Sequence, residues 1–369
     1  MAAPSRILLM TQTLGTGGCA RDVSNIAQNL DRAHFEPHVG CFSSEGIRGD
    51  DLRSAGVPII QFPVRSFRSP SIIINILRMG RYLKSHNIQL VHAFDTSTDV
   101  FAVAAGRIFM TPVITANLWC RSMVPPLYRR ALRVTDHLAN AIIVNSDAVR
   151  HHLIEDDNTP PNSIYVCHNG VDPQVFAPRP LDSKIPRATL TIGTVCALRA
   201  EKRIDLLLDA FAVVRRVQPS MKLLIVGSGE MLAALQAGRK RLNLEEDCVF
   251  EPEKRDVADW MRAIDIFVTP SSSESFPNAL LEAMGCGCCV IASRVGGIPE
   301  MVSHRDNGLL FESGELEGLV SALTTVICDK SLRDRLGREA SRTAREHFSI
   351  QMMARRMEEI YNTVLANRL

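Results

Sequence analysis

The chain has 369 residues, 46% hydrophobic and 22% charged, with a formal net charge of +2. That length favours two domains, and the composition is that of an ordinary globular protein. The near-neutral charge gives no case for a nucleic-acid partner, and the longest apolar runs, 71–77 and 141–144, are far too short to span a bilayer.

Residues 6–10 read as a first strand rather than the apolar core of a signal peptide, so the expected location is the cytoplasm. T-Q-T-L-G-T-G-G over 11–18 is a polar, glycine-rich turn, and a helix over 19–30 follows, with Val23, Ile26, Ala27 and Leu30 on one face. A glycine loop between strand and helix can bring its backbone close to an anion. This one matches neither G-x-G-x-x-G nor a lysine-bearing phosphate loop. Strands are expected over 37–42, 57–62, 88–94, 112–116, 141–145 and 164–166, with helices over 47–55, 71–86, 97–109, 125–138 and 146–154. Such alternation specifies a doubly wound parallel sheet, an α/β class in which ligands bind beyond the carboxyl ends of the strands. His92 and Asp95, at the end of the strand over 88–94, are expected to face that crevice, although a core position for His92 fits equally well.

C-H-N-G-V-D over 167–172 marks a boundary, followed by a proline-bearing linker over 173–187. The second half repeats the alternation. Strands fall over 189–197, 222–226 and 248–251, and helices over 202–217, 230–242 and 257–264. Then comes V-T-P-S-S-S-E-S-F-P-N-A-L-L-E-A-M-G-C-G-C-C-V-I-A-S-R-V-G-G-I-P-E-M-V over 268–302. It reads as strand end, polar loop, helix, strand over 288–292 and glycine turn. Pro277 stands where the helix begins, with Ser275 or Phe276 as its cap, and Gly285 or Gly287 ends it. A short helix from Pro299, a strand over 308–311 and helices over 315–328, 331–347 and 350–365 complete the chain.

A helix start offers unpaired N–H groups and partial positive charge, which suit a phosphate. Glu274 precedes that start and Glu282 lies five residues past Pro277, about 7.5 Å along the axis at 1.5 Å per residue. A phosphate at the helix start would leave Glu282 at ribose distance and Glu274 on the side of a donor sugar. On spacing alone, a capping loop and an exposed helix glutamate explain the pair as well.

The Glu-x7-Glu spacing within S-S-S-E-S-F-P-N-A-L-L-E-A-M-G-C-G-C-C-V-I-A-S-R-V-G-G-I-P-E closely resembles the signature of retaining nucleotide-sugar glycosyltransferases of family four. The resemblance implies the GT-B fold, two Rossmann-like domains facing a central cleft. Residues 1–170 would bind the acceptor, 171–349 the nucleotide sugar, and 350–369 would form a helix crossing back to the first domain. It implies that Arg199 and Lys202, in V-C-A-L-R-A-E-K, hold the donor diphosphate, where fixed cations stabilise a departing anion. Glu274 would bind donor-sugar hydroxyls, helped by the N–H groups of Phe276 and Asn278, and Glu282 would hold the ribose. Gly17 and Gly18 would lie beside the donor phosphates and the acceptor, and Gly227, in V-G-S-G-E, near the nucleoside or phosphates. The base would sit near E-P-E-K-R over 251–255, which departs from the family pattern, with uridine diphosphate as the default nucleotide. Asn117 stands about where relatives carry a histidine near the reacting sugar, so His92 and Asn117 form the acceptor side. The resemblance implies a metal-independent transfer without cofactor, and no Asp-x-Asp string is evident.

The stretches from Arg68 to Lys84 and from Arg121 to Arg133 mix basic and apolar residues. Each reads either as a helix lying on an anionic membrane, which implies a lipid-linked acceptor, or as a surface helix with its apolar side on the sheet. Cys286, Cys288 and Cys289 lack partners at zinc spacing and read as packing. Two other functions stay open at this point: a nucleotide-sugar-binding partner of another transferase, and a sugar-nucleotide epimerase.

Overall fold

The computed structural model describes residues 3–15, 17–118, 126–178, 190–254 and 256–367, the side chains of 126–128 excepted. The chain divides into two compact units, Met1–Asn169 with Ile350–Leu369, and Gly170–Ser349.

In the first unit the strands are β1 (Ser5–Thr13), β2 (Phe35–Ser43), β3 (Ile59–Gln61), β4 (Leu90–Ala93), β5 (Val113–Asn117), β6 (Ala141–Val144) and β7 (Ile164–Val166). They form one sheet in the order β3-β2-β1-β4-β5-β6-β7, with every pairing parallel. A sheet covered on both faces can bury successive residues of a strand, and Ile7, Leu8, Leu9 and Met10 are all 0% exposed. Helices α1 (Gly18–Asn29) and α2 (Ile47–Ser54) share one core with the last helix of the chain, α14 (Ile350–Ala366). Helices α3 (Ser71–Ser85) and α4 (Thr96–Phe109) cover a second core on Leu8, Met10 and Val91. Helices α5 (Pro126–Leu138) and α6 (Asp147–Glu155) complete the unit. The part of the 121–133 stretch before α5 lies outside the described residues.

In the second unit, β8 (Leu190–Val195), β9 (Met221–Val226), β10 (Cys248–Glu251), β11 (Ile266–Thr269), β12 (Cys289–Ser293) and β13 (Leu309–Phe311) form a sheet in the order β10-β9-β8-β11-β12-β13, again wholly parallel. Its helices are α7 (Ile204–Val214), α8 (Leu232–Arg241), α9 (Ala258–Arg262), α10 (Asn278–Gly285), α11 (Ile298–Met301), α12 (Leu316–Cys328) and α13 (Lys330–His347). The strands expected over 57–62 and 88–94 narrow to three and four residues, although the flanking Val57, Phe62 and Ile88 are buried beside them. No described helix is long and apolar enough to cross a membrane.

In each sheet the strand order reverses between two neighbours, β1 and β4 in the first, β8 and β11 in the second. The chain leaving such neighbours turns to opposite faces. α7 packs in one core of the second unit and α10 in another. In open α/β sheets, ligands usually bind beyond the strand ends at such a reversal.

Candidate functional site

In the second unit the two strands at the reversal deliver the polar groups. The chain leaving β8 makes a tight turn over Ala200–Lys202, and the left-handed Arg203 (φ 49°) separates it from α7. The single helix expected over 202–217 is thus broken, since a left-handed residue cannot continue a right-handed helix. Lys202 N–H donates to the carbonyl of Arg199, which precedes the turn. The Arg199 side chain stays exposed, 4.0 Å from Glu201.

The chain leaving β11 reaches back to this turn. Ser272 N–H donates to the Glu201 carbonyl at 2.8 Å. Ser271 is 1% exposed and its hydroxyl donates to Glu274 Oε1 at 2.8 Å. Lys202 Nζ donates to the same oxygen at 2.6 Å. Both donors therefore hold Oε1, and among the described residues nothing hydrogen-bonds Oε2. The backbone of this loop is fixed as well. Gly296 has φ +50°, and a Cβ there would lie 1.6 Å from the Glu274 carbonyl oxygen. Gly297 N–H donates to the Ser275 carbonyl at 2.9 Å. Side-chain exposures of 21% for Lys202 and 10% for Glu274 leave the pair partly desolvated, where its attraction is stronger than in water.

Pro277, not Ser275 or Phe276, is the N-cap of α10, and Asn278 is its first residue. Pro277 has an extended ψ of 115°, outside helical geometry, so the first turn begins one residue later. Pro277 itself has no side chain that could cap this end. The other end is a Schellman motif: Cys288 N–H donates to the Ala283 carbonyl and Gly287 N–H to that of Met284, with Gly287 left-handed at φ +83°. Phe276 is 2% exposed, its ring 5.4 Å from that of Phe348, so its side chain is a packing group. Asn278 is half-buried and Glu282 is 6% exposed on α10.

Gly227 (φ +153°) and Gly229 are demanded by packing. A Cβ at either would lie 1.9 and 2.4 Å from the carbonyl oxygens of Cys196 and Leu198. The turn after β9 thus rests on the loop after β8. In the loop after β10, Lys254 Nζ lies 2.9 Å from Glu251 and 4.7 Å from the Trp260 ring centre, while Arg255 lies outside the described residues. Cys286, Cys288 and Cys289 are buried. Burial pushes the Cys286 and Cys289 thiols up to about 12, and Cys288 donates to the Met261 carbonyl. They pack; they do not form a reactive cluster.

In the first unit, β1 and β4 flank the reversal. Asp95 Oδ2 accepts from Gln12 N–H at 2.7 Å and from the Thr11 hydroxyl at 2.9 Å, tying the end of β1 to the start of α4. Leu14 is fully buried, and Arg48 N–H donates to its carbonyl at 3.0 Å. The loop so anchored ends at Gly17 and Gly18. Both are exposed, Gly17 has an ordinary φ of −60°, and a Cβ at either would meet nothing within 4 Å. Neither packing nor backbone geometry requires glycine there. Asn117, at the end of β5, is 6% exposed.

His92 does not face the strand ends. It is 0% exposed; its Nδ1 and the Tyr361 hydroxyl of α14 are 2.8 Å apart, and its ring lies against Phe94. Burial lowers its pKa to about 3, so it is a neutral core residue and cannot touch an acceptor. Ser271 and the Glu201 carbonyl were not singled out from sequence. The available signal was the serine three residues ahead of Glu274, which the sequence shows only as part of a polar loop.

The profile described as Glycosyl transferases group 1 matches residues 182–343, and that described as Glycosyltransferase Family 4 matches residues 16–175. An N-acetyl-alpha-D-glucosaminyl L-malate synthase of Bacillus anthracis is 30% identical over 226 residues, 59% of each chain. A D-inositol 3-phosphate glycosyltransferase of Jonesia denitrificans is 31% identical over 237 residues, 58% of this chain and 56% of that one. The match thus spans under two thirds of these curated relatives. Among solved structures, Anabaena HepE in complex with UDP and glucose superposes with a TM-score of 0.85 at 22% identity, covering 97% of this chain and all of that one. Sucrose-phosphate synthase of Thermosynechococcus elongatus gives 0.83 at 17% identity, covering 98% and 100%. These likenesses establish the GT-B fold. With one profile on each half of the chain and this fold beneath both, the chain belongs to the group 1 glycosyltransferases.

Proposed function

We propose that the protein transfers a sugar from a nucleotide diphosphate sugar, a UDP-sugar, to a hydroxyl of a glycan, lipid-linked or small-molecule acceptor, with retention at the anomeric carbon. The observation that carries this reading is the Lys202–Glu274–Ser271 group in the loop that leads into the start of α10. Family membership and structural neighbours solved in complex with UDP support it. Arg199, Lys202 and the amino end of α10 supply positive charge for the departing diphosphate. Glu274 presents Oε2 to a donor-sugar hydroxyl, the amides of Phe276 and Asn278 flank the phosphate, and Glu282 accepts from the ribose. Gly227 shapes the nucleoside side, and Lys254 lies in the loop proposed for the base. In the first unit, the open backbone at Gly17–Gly18 approaches substrate, and Asn117 offers an amide to the acceptor. The bond between the anomeric carbon and the diphosphate oxygen breaks, a bond to the acceptor oxygen forms on the same face, and the acceptor proton leaves with the diphosphate.

The domain roles follow: acceptor with the first unit, donor with the second. A location at the cytoplasmic membrane surface fits a lipid-linked acceptor. Incubation with UDP-glucose, UDP-galactose and UDP-N-acetylglucosamine tests the reading. Release of UDP from at least one is expected; absence of release and of UDP binding would sink it.

A further inference from the structure

Helix α3 is apolar on two opposed sides. Met79 and Leu83 are 0% and 2% exposed against the sheet, whereas Ile73 is 61%, Ile74 66% and Leu77 45% exposed. A step of about 100° per residue places Ile73, Ile74, Leu77, Arg78, Arg81 and Lys84 within one arc of roughly 140°. That arc lies opposite the buried stripe. A surface helix with its apolar side on the sheet accounts for Met79 and Leu83 and leaves the outward aliphatics unexplained. Phe67, 40% exposed, adds to them just before the helix. Single exposed aliphatics are ordinary; a contiguous apolar set rimmed by charge marks an interaction surface.

The charge is one-sided. Residues 63–86 contain no aspartate or glutamate, and Arg65, Arg68, Arg78, Arg81 and Lys84 are all exposed. Among the described residues none of the five forms an ion pair. Along the outward arc the first turns of the helix are aliphatic and the later turns cationic. On a face laid against a bilayer, aliphatic groups enter the acyl boundary and the long cationic side chains reach the lipid phosphates. A second copy of the chain fits poorly, because a two-fold contact through this face would set its own cations against each other.

We propose that the outward face of α3, with residues 65–68, is a docking surface for an anionic membrane. The inference deepens the partner reading above and rests on it only in placing the acceptor on a lipid. Co-sedimentation of the full chain with phosphatidylcholine vesicles, with and without phosphatidylglycerol, tests it. Binding to the anionic vesicles alone, weakened by salt, is expected. The double variant Ile73→Gln, Ile74→Gln lowers that binding at least about tenfold by removing the inserted aliphatics. Arg78→Gln with Arg81→Gln lowers it roughly thirtyfold. All four positions are exposed, so folding is retained, and UDP release from a UDP-sugar in solution is unchanged. Wild-type protein left in the supernatant, equal binding to neutral vesicles, or full binding by the Ile73/Ile74 variant overturns the proposal. So does sedimentation without vesicles that the same variant abolishes, which would mark a self-association face. Vesicle binding without UDP release would defeat the donor reading and leave the docking surface standing; the reverse result would do the opposite.

Discussion

Lys202 Nζ lies 2.6 Å from Glu274 Oε1, across 72 residues of sequence. The two side chains leave adjacent strands, β8 and β11, at the point where the sheet order reverses. The ammonium expected on the donor diphosphate is engaged by the carboxylate expected on the donor sugar. One pair thus joins the two halves of the proposed site.

That pairing separates two effects usually lost together. Glu274→Ala removes the sugar contact but frees the Lys202 ammonium for the diphosphate. Turnover of a UDP-sugar is expected to fall roughly a hundredfold, while affinity for UDP holds or rises. Calorimetric titration with UDP, beside UDP-release kinetics, checks this. Parallel loss of both would mean that Glu274 acts through folding of the loop.

Ser271 is expected to act as a positioning residue. Its buried hydroxyl, with Lys202, holds Oε1 and so directs Oε2 outward. Ser271→Ala should lower kcat about tenfold with UDP affinity unchanged, and Ser271→Thr should restore most of it. A variant that loses stability alone, with kcat intact, would reduce the serine to a packing role.

Two glycines make opposite predictions. Gly296→Ala places a Cβ into the Glu274 carbonyl at a left-handed backbone position, so stability and turnover should both drop. Gly17→Ala meets open space at φ −60° and should leave the melting temperature unchanged while lowering turnover. Normal turnover in Gly17→Ala would remove the glycine loop from the substrate surface.

Much of this was legible before any coordinates. Apolar runs such as 6–10 and 141–145 read as buried strands, and their alternation with amphipathic helices implied parallel sheets. The stretch over 268–302 carried its own punctuation in Pro277, Gly285 and Gly287. What escaped had non-local causes. The Lys202–Glu274 contact depends on which strands lie side by side, and strand order is not written in either segment. The left-handed break at Arg203 carries no glycine to announce it. The two-sided apolar character of α3 looks like amphipathicity until the buried stripe is located. The burial of His92 depends on Tyr361, 269 residues away.

His92 predicts the acid side of the stability profile. Above an ordinary histidine pKa near 6.5, the folded and unfolded chains both hold it neutral and stability is full. Below that value the unfolded chain takes up a proton that the folded chain refuses until about pH 3. Stability is therefore lost as pH falls through that window, with a slope of up to about 1.4 kcal/mol per pH unit from this residue. His38, lowered chiefly by burial, adds in the same direction. His92→Gln should flatten the dependence of melting temperature on pH between 6 and 4. An unchanged slope would mean that His92 protonates in the folded state.

UDP binding read as a thermal midpoint, in wild type and in Lys202→Met, tests the central assignment most directly. At a hundredfold excess over Kd, UDP should stabilise the wild-type protein by about 2.7 kcal/mol, a rise of roughly 5–10 °C for a unit the size of the second. Lys202→Met leaves the Glu274 carboxylate uncompensated beside the phosphate position, and its midpoint should not move. No shift in wild type, or an equal rise in Lys202→Met, contradicts a diphosphate held by this lysine at the β8–β11 reversal.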